Sequence, residues 1–302
     1  MVHKPDSRIA VVAHDAGAAN HIFSWLESGF VDINRVDLCV EGPASKICRR
    51  LFPDFLNNDL DKSLSTASLL ISGSGWASTL EHDARVIAKT NNLRSIAILD
   101  HWSGFKERFV WNGCEVLPDE AWVVDKYAFD IVKKELPGIP AVLQRNDFIE
   151  SQLKEINKYS YKEKLGNRVL YVMEPIRNNW SDEGKSGEIQ ALDYFIENIA
   201  RLKLVGAVEI IIKPHPSDFK GKYNNWLAAN KNINIRVDEV STLASLIAWS
   251  EVVAGCQTYA MVVAIAAGKT VVSTLPPVSP TCDLPQKEIV HMSELVLINE
   301  VL

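Results

Sequence analysis

Short apolar segments rich in β-branched residues alternate with amphipathic segments along the whole of this 302-residue chain. The apolar segments have the length of buried strands, and the amphipathic ones have the spacing of helices that bury one face. Strands that alternate with helices predict a parallel sheet covered on both faces, which is a doubly wound α/β fold. The predicted strands are 8–13, 36–40, 68–72, 95–99, 121–124 and 141–143, then 168–173, 208–212, 233–237, 251–254 and 270–273. The predicted helices are 19–27, 44–51, 78–90, 126–135, 188–203, 223–229, 243–249 and 258–267.

A polar stretch at residues 147–167 interrupts this alternation. We predict that it is a linker with a domain boundary between residues 160 and 161, because the strand at 168–173 starts a second series of strands and helices. A chain of this length exceeds one average domain. The sequence therefore predicts two Rossmann-like domains, 1–160 and 161–302, facing a cleft in which ligands bind.

Composition and charge exclude several classes of function. The net charge of −6 argues against binding nucleic acid through bulk electrostatics. No apolar run reaches the length of a membrane-spanning helix, which leaves peripheral membrane contact open. The five cysteines form no Cys-x-x-Cys pair, which argues against a structural zinc site and against a disulfide framework. We expect a cytoplasmic protein that uses no cofactor and no metal.

The strand at 208–212 ends in the sequence Lys213-Pro-His-Pro216. The residue before a proline is kept out of the helical region, so Lys213 and His215 are held extended where the strand ends. Ligands of parallel α/β sheets bind outside this edge. The pair favours a phosphate site, with Lys213 as a charge and His215 as a hydrogen-bond donor. The structural alternative is a strand closed by two prolines, with polar residues that face solvent.

A second anion-binding feature is the sequence Gly255-Cys-Gln-Thr258, which opens a helix of small residues. The first turn of a helix has free N–H groups and the positive end of the helix dipole, and both attract an anion. Gln257 and Thr258 occupy the positions of helix caps, and plain capping is the structural alternative. Arg177, in the loop after the strand at 168–173, is a further candidate for contact with a pyrophosphate.

Three loops at strand ends of the first half carry polar or glycine-rich sequences. Asp100 follows the strand at 95–99 directly, a position that suits a general base, and turn formation is its structural alternative. Asp15, after the first strand, is the competing base, with helix capping as the alternative. The Gly73-Ser-Gly75 turn lets a ligand approach the backbone closely, or simply makes a tight turn. The contact candidates in these loops are His14, Gly17, Gly73, Ser74, Gly75, His101 and Trp102.

The second half resembles the nucleotide-binding domain of GT-B glycosyltransferases. The resemblance lies in the strand with Lys213-Pro-His-Pro216, and in Gly255-Cys-Gln-Thr-Tyr259 with the strand that follows its helix. This order is similar to that of bacterial sialyltransferases and related Kdo and capsule transferases. In those families an HP motif contacts the nucleotide of a CMP-sugar, and a Ser/Thr motif at a helix start holds the phosphate. The resemblance implies that Lys213, His215, Gln257 and Thr258 bind the donor.

The first half matches the same families less closely. Their catalytic base lies in an Asp/Glu-Asp/Glu-Gly motif after a strand of the N-terminal domain, and Asp100 matches the first acid in position. His101 and Trp102 replace the second acid and the glycine. The resemblance implies a metal-independent glycosyltransferase of surface polysaccharide biosynthesis, which moves a sugar from a nucleotide donor to a glycan or lipid-linked acceptor. A CMP-linked acidic sugar is the favoured donor, with Asp100 as the base and His215 assisting the leaving group.

Three alternatives stay open on the sequence alone. A non-hydrolysing sugar-nucleotide epimerase uses the same fold, but the sequence shows no acid cluster of the kind that it needs. A glycerophosphotransferase uses a similar HP strand, but such enzymes usually carry basic membrane-binding segments, which are not seen here. A binding protein that keeps the fold without catalysis is the third.

Overall fold

A computed structural model describes residues 8–159, 167–180 and 184–300, with side chains as far as residue 296. The chain divides into two compact units, Met1–Phe148 and Ile149–Leu302. The predicted boundary between residues 160 and 161 lies outside the described residues. Among the helices that the structure describes, none is long and apolar enough to cross a membrane.

The first unit is built from alternating strands and helices. Its strands are β1 (Arg8–Ala13), β2 (Val36–Val40), β3 (Ala67–Ser72), β4 (Arg94–Ile98), β5 (Val110–Trp111), β6 (Cys114–Glu115), β7 (Glu120–Val123) and β8 (Ala141–Leu143). Its helices are α1 (Ala16–Glu27), α2 (Gly42–Leu51), α3 (Leu60–Ser65), α4 (Leu80–Thr90) and α5 (Lys126–Glu135). Six of these strands form a parallel sheet in the order β2-β1-β3-β4-β7-β8, and β5 and β6 form a separate antiparallel pair.

The alternation of side chains along β1 explains why this sheet is covered on both faces. Ile9, Val11 and Ala13 belong to one apolar cluster, with residues of α1 and α2. Ala10 and Val12 belong to the other, with residues of α3 and α4. Successive side chains of a strand point to opposite faces, so an uninterrupted apolar strand needs a partner layer on each side.

The second unit repeats the same architecture. Its strands are β9 (Arg168–Val172), β10 (Glu209–Lys213), β11 (Ile235–Val237), β12 (Val252–Gly255), β13 (Thr270–Ser273) and β14 (Ile289–His291). Its helices are α6 (Asp147–Asn157), which begins at the division between the units, then α7 (Gly187–Asn198), α8 (Asn224–Ala229), α9 (Leu243–Trp249), α10 (Tyr259–Ala266) and α11 (Met292–Glu300). The parallel strands run in the order β11-β10-β9-β12-β13-β14.

Each sheet has one point where the direction of strand addition reverses, between β1 and β3 in the first unit and between β9 and β12 in the second. Loops that leave the two central strands there diverge, and this opens a crevice at the carboxyl ends of the strands where ligands of such folds bind. In the first unit these loops carry Asp15 and the 73–75 turn. In the second they carry Glu174 and the segment before α10.

The predicted doubly wound α/β fold is confirmed, and the predicted linker is wrong in part. Residues 147–157 form the helix α6 instead of a polar connection. Its apolar residues Phe148, Ile149, Leu153 and Ile156 recur at the spacing of one helix face, among charged residues that gave the stretch a polar average.

Candidate functional site

The HP loop, defined here as residues 213–218, leaves β10 beside the reversal point of the second sheet. The ring nitrogen Nδ1 of His215 lies 3.1 Å from the backbone N–H of Ser217, which donates to it. The Ser217 hydroxyl lies 2.8 Å from the same nitrogen. Because Nδ1 is the acceptor, the neutral ring carries its proton on Nε2. Burial is the largest effect and lowers the pKa of His215; the charge of Asp218 opposes it, and the cations Arg177 and Lys222 lower the pKa further. His215 is therefore a neutral N–H donor at physiological pH.

Lys213 is already engaged within the protein. Its Nζ donates to the backbone carbonyl of Ser241 at 2.6 Å and lies 3.3 Å from that of Asp238. Both carbonyls belong to the loop after β11, so Lys213 ties that loop to the end of β10. A lysine that makes these bonds fixes the loop next to His215, and its contact with a phosphate stays a prediction.

A network of buried charges holds the HP loop in place, and Asp218 is its centre. The Asp218 carboxylate, fully buried, accepts hydrogen bonds from the His215 backbone N–H at 3.0 Å and from the Tyr223 hydroxyl at 2.7 Å. Lys222 at 2.8 Å and Arg177 at 3.0 Å form ion pairs with it. Burial alone would raise the pKa of Asp218, but the bonds from Lys222, Tyr223 and Arg177 outweigh this and lower it to about 2.

Glu188, on α7, is the second acid of this network. Both of its oxygens accept from Arg177, at 2.8 and 2.7 Å, and one also pairs with Lys222. The Glu188 side chain is 2% exposed, whereas that of Arg177 is 51% exposed. Arg177 and Lys222 together balance the charges of the two buried acids. The predicted contact of Arg177 with a pyrophosphate would have to use the exposed side of the guanidinium.

The start of α10 already holds an anion. The backbone N–H of Gln257 donates to Oε2 of Glu174 at 2.9 Å, across the reversal point between β9 and β12. Burial raises the pKa of Glu174, although the bond from Gln257 opposes it. The Gln257 side chain accepts from the Asp283 backbone N–H at 2.9 Å, and Thr258 is the N-cap residue without a capping bond from its hydroxyl. The N–H group at the start of α10 therefore binds the carboxylate of Glu174, and the sequence predicts that this group binds a phosphate.

In the first unit, three carboxylates lie against three glycines. A Cβ atom at Gly17 would collide with Asp100, one at Gly75 with Asp15, and one at Gly73 with Glu81. These glycines are therefore required because the carboxylates fill the space that side chains would take. Asp15, Glu81 and Asp100, called the acidic site below, come from two strand ends and one helix that the fold brings together.

Glu81 joins two loops of the acidic site. It is 1% exposed, and its two oxygens accept from the His14 backbone N–H at 2.9 Å and the Gly75 backbone N–H at 2.6 Å. Burial raises its pKa, and the neighbouring charge of Asp15 adds to this effect against the two hydrogen bonds. His14 Nδ1 lies 2.7 Å from Asp15 Oδ1. The arrangement fixes His14 and Asp15 at the reversal point between β1 and β3.

Asp100 is 17% exposed in its side chain and lies 3.7 Å from Nη1 of Arg108. Two other predicted contacts nearby are buried instead. Ser74 donates to the Ile98 carbonyl at 2.7 Å and is not exposed. Trp102 is 6% exposed and donates from Nε1 to Asp125 at 2.9 Å. Trp102 therefore offers little surface for its predicted ligand contact, whereas His101 beside it is partly exposed.

Several residues of these sites were not predicted from the sequence. Glu81, Glu174 and Glu188 each have at least one partner far along the chain, and no local pattern marks them. Asp218 has a local signal, because an Asp three residues after His215 can reach back to the N–H group of the turn. Among the described residues, no group of three or more His, Cys, Asp and Glu side chains is placed to hold a metal ion.

No known protein family matches the sequence, and no curated protein matches it. Solved structures do match the fold. UDP-GlcNAc 2-epimerase from Neisseria meningitidis bound to UDP-GlcNAc is 11% identical with a TM-score of 0.64, over 97% of this chain and 90% of that one. Anabaena Alr3699/HepE in complex with UDP and glucose is 11% identical with a TM-score of 0.57, over 98% and 89%.

MurG from Acinetobacter baumannii is 10% identical with a TM-score of 0.51, over 98% of this chain and 89% of that one. At identities this low, the likeness establishes the fold and not the activity. The chain has the two-domain, Rossmann-like fold of GT-B proteins.

Proposed function

We propose that the chain is a metal-independent glycosyltransferase that moves a sugar from a nucleotide donor to a glycan or lipid-linked acceptor. Residues 161–302 bind the donor and residues 1–160 bind the acceptor. The observation that carries the proposal is a pair of anion-binding groups at one sheet edge of the second unit. These groups are the Nε2–H of His215 and the backbone N–H of Gln257, which already holds a carboxylate.

The proposed reaction uses the two sites as base and leaving-group stabiliser. Asp100 takes the proton of an acceptor hydroxyl, and the resulting oxygen attacks the anomeric carbon of the donor sugar. The bond from that carbon to the phosphate oxygen breaks, and the nucleotide leaves with the electron pair. The His215 N–H and the start of α10, with Thr258, stabilise the new charge on the phosphate. For α10 to do so, the phosphate replaces the carboxylate of Glu174. The resemblance of the HP loop to sialyltransferases favours CMP as this nucleotide.

Nucleotide binding is the first measurable consequence. In a thermal-shift panel of CMP, CDP, UMP, UDP, GDP and TDP, the cognate nucleotide at a hundred times its Kd is expected to stabilise the protein by about 2.7 kcal/mol. His215→Ala is expected to weaken this stabilisation at the same nucleotide concentration, because the phosphate loses a donor. The unliganded variant should unfold near the wild-type temperature, since the ring bonds only within its own loop. Unchanged nucleotide stabilisation in His215→Ala would contradict the phosphate site.

One observation favours a second candidate, a sugar-nucleotide epimerase. The sequence shows no acid cluster, but the fold assembles Asp15, Glu81 and Asp100 around the reversal point of the first sheet. Carboxylates with different surroundings suit the removal and return of a proton on a sugar carbon. An epimerase of this type would incorporate solvent deuterium into the sugar of a UDP- or CMP-linked donor without any acceptor. A transferase would leave the sugar unlabelled, and mass spectrometry of the recovered donor separates the two.

A further inference from the structure

Trp76 is the one tryptophan of the described residues whose surface is more than half exposed, at 54%. It follows the Gly73-Ser-Gly75 turn, after the strand β3. More than half of this indole stays in contact with water, so it contributes less to the burial of apolar surface than the buried tryptophans do. Its position at the reversal point between β1 and β3 is the place where ligands of such sheets bind.

The indole is held in place from one side. The guanidinium carbon of Arg108 lies 4.8 Å from the centre of the ring. Arg108 is itself 9% exposed, and it donates to the carbonyls of Ser74 and Ser103, each at 3.3 Å. Gly104 lies against the ring edge, since a Cβ there would be 3.0 Å from Cη2. A flat apolar surface fixed in this way loses little conformational entropy when it binds a ligand.

The charges around Trp76 indicate which ligand would fit. Asp15 and Glu81 lie against Gly75, the neighbour of Trp76, and Asp100 lies 3.7 Å from Arg108, which contacts the indole. With Arg85 and Arg108 as the cations among them, these three carboxylates leave no excess of positive charge to attract a phosphate or another anion. Carboxylates accept hydrogen bonds from hydroxyl groups, and an indole packs against apolar C–H groups. A neutral sugar ring has both, with hydroxyls at its rim and C–H groups on its face.

We infer that Trp76 is the stacking platform for the neutral sugar that accepts the transferred group, with its hydroxyls bound by Asp15 and Asp100. The inference rests on the proposed function, because it assumes that the first unit binds the acceptor. Trp76, and not Trp102 with its buried ring, offers the aromatic surface for a ligand. This stacking role also accounts for an exposed indole that follows Gly75, against which Asp15 and Glu81 lie.

Saturation-transfer NMR on the full chain tests the inference without any donor. The probes are the methyl β-glycosides of galactose, glucose and N-acetylglucosamine at millimolar concentration. At least one of them is expected to receive saturation from the wild-type protein. Trp76→Ala should lower the affinity for that glycoside about tenfold or more, and Trp76→Phe should retain part of it, because a smaller flat ring remains. Trp76→Leu keeps apolar volume without the flat ring and should behave like the alanine variant.

Phe30→Ala is the matched control. Phe30 is another aromatic residue of the first unit that is 42% exposed, and its ring contacts Trp25 and Trp122. This variant should bind the glycoside as the wild type does. No transfer to any of the three glycosides, or transfer in Trp76→Ala or Trp76→Leu equal to that of the wild type, overturns the inference. The nucleotide thermal-shift panel on the same variants keeps the two hypotheses apart. If the wild-type protein binds a nucleotide but none of the glycosides, only the stacking platform is refuted. If the wild-type protein binds no nucleotide, the proposed function is refuted.

Discussion

The Asp100→Asn variant is expected to lose turnover by about a hundredfold or more while it keeps its affinity for the nucleotide donor. The amide has the size of the carboxylate but cannot take the proton of the acceptor hydroxyl. The side chain is 17% exposed and packs against Gly17, so the isosteric change should preserve the local fold. The measurement is the initial rate of nucleotide release at saturating donor, with EDTA present because the proposed mechanism uses no metal. Calorimetry gives the donor affinity separately.

Two further variants make this result specific. Asp54→Asn changes an exposed acid of the same unit and should keep the wild-type rate. Asp15→Asn tests the competing base, whose carboxylate lies against Gly75 and contacts His14. Near-normal turnover in Asp100→Asn with collapse in Asp15→Asn would move the base to the loop after β1. A rate that EDTA abolishes in the wild type would instead show that a metal stabilises the leaving group.

The fold was predictable because hydrophobic periodicity is a local property. The strands β1, β2, β8 and β13 and the helices α5 and α9 have the predicted limits, since apolar runs and capping residues mark both ends. The side chain of Thr242, for example, accepts from the Ser245 N–H and starts α9. The helix α6 was missed because its apolar face is carried by few residues within a charged segment. The short helix α3 was missed because its six residues make about one turn and a half, which is too short to show a helical hydrophobic periodicity.

The candidate sites were predictable only where topology fixes them. A residue that follows the carboxyl end of a parallel strand lies at the ligand-binding edge, and this places Asp15, Asp100 and His215 from the sequence alone. Which side chain faces solvent there depends on tertiary packing. Trp76 and Trp102 both follow strand ends, and only the fold reveals that one is exposed and the other bonded to Asp125.

Site residues that lie on helices are harder still to predict from the sequence, because no strand end marks their positions. Glu81 on α4 and Glu188 on α7 reach their sites through the packing of the helix against the sheet. Their burial is possible only because backbone N–H groups or cations meet them, and some of these partners, such as the His14 N–H for Glu81 and Lys222 for Glu188, lie far along the chain. The acid cluster that the sequence did not reveal is a consequence of this packing.

The network around Asp218 should make a large and pH-dependent contribution to stability. The pKa of about 2 in the folded protein lies below the ordinary value for an aspartate, about 3.9. A carboxyl group with a depressed folded-state pKa stabilises the protein above its unfolded pKa, and this stabilisation is lost as the pH falls from about 4 to about 2. The difference of roughly two pH units corresponds to about 2–3 kcal/mol at neutral pH. Asp218→Asn removes the charge and keeps the size, so we expect it to lower the free energy of unfolding by about this amount at pH 7.

Urea unfolding at pH 7 and at about pH 3.5 measures this contribution. The deficit of Asp218→Asn relative to the wild type should be large at neutral pH and should shrink at the acid pH, where the wild-type carboxyl begins to lose its advantage. Glu197→Gln, a change of an exposed acid on α7, should show no deficit at either pH. An equal deficit at both pH values would mean that the neutral hydrogen bonds from His215 and Tyr223, and not the charge, hold the HP loop. In that case Arg177 and Lys222 would not need Asp218 as a counter-ion, and Arg177 would be available to a phosphate.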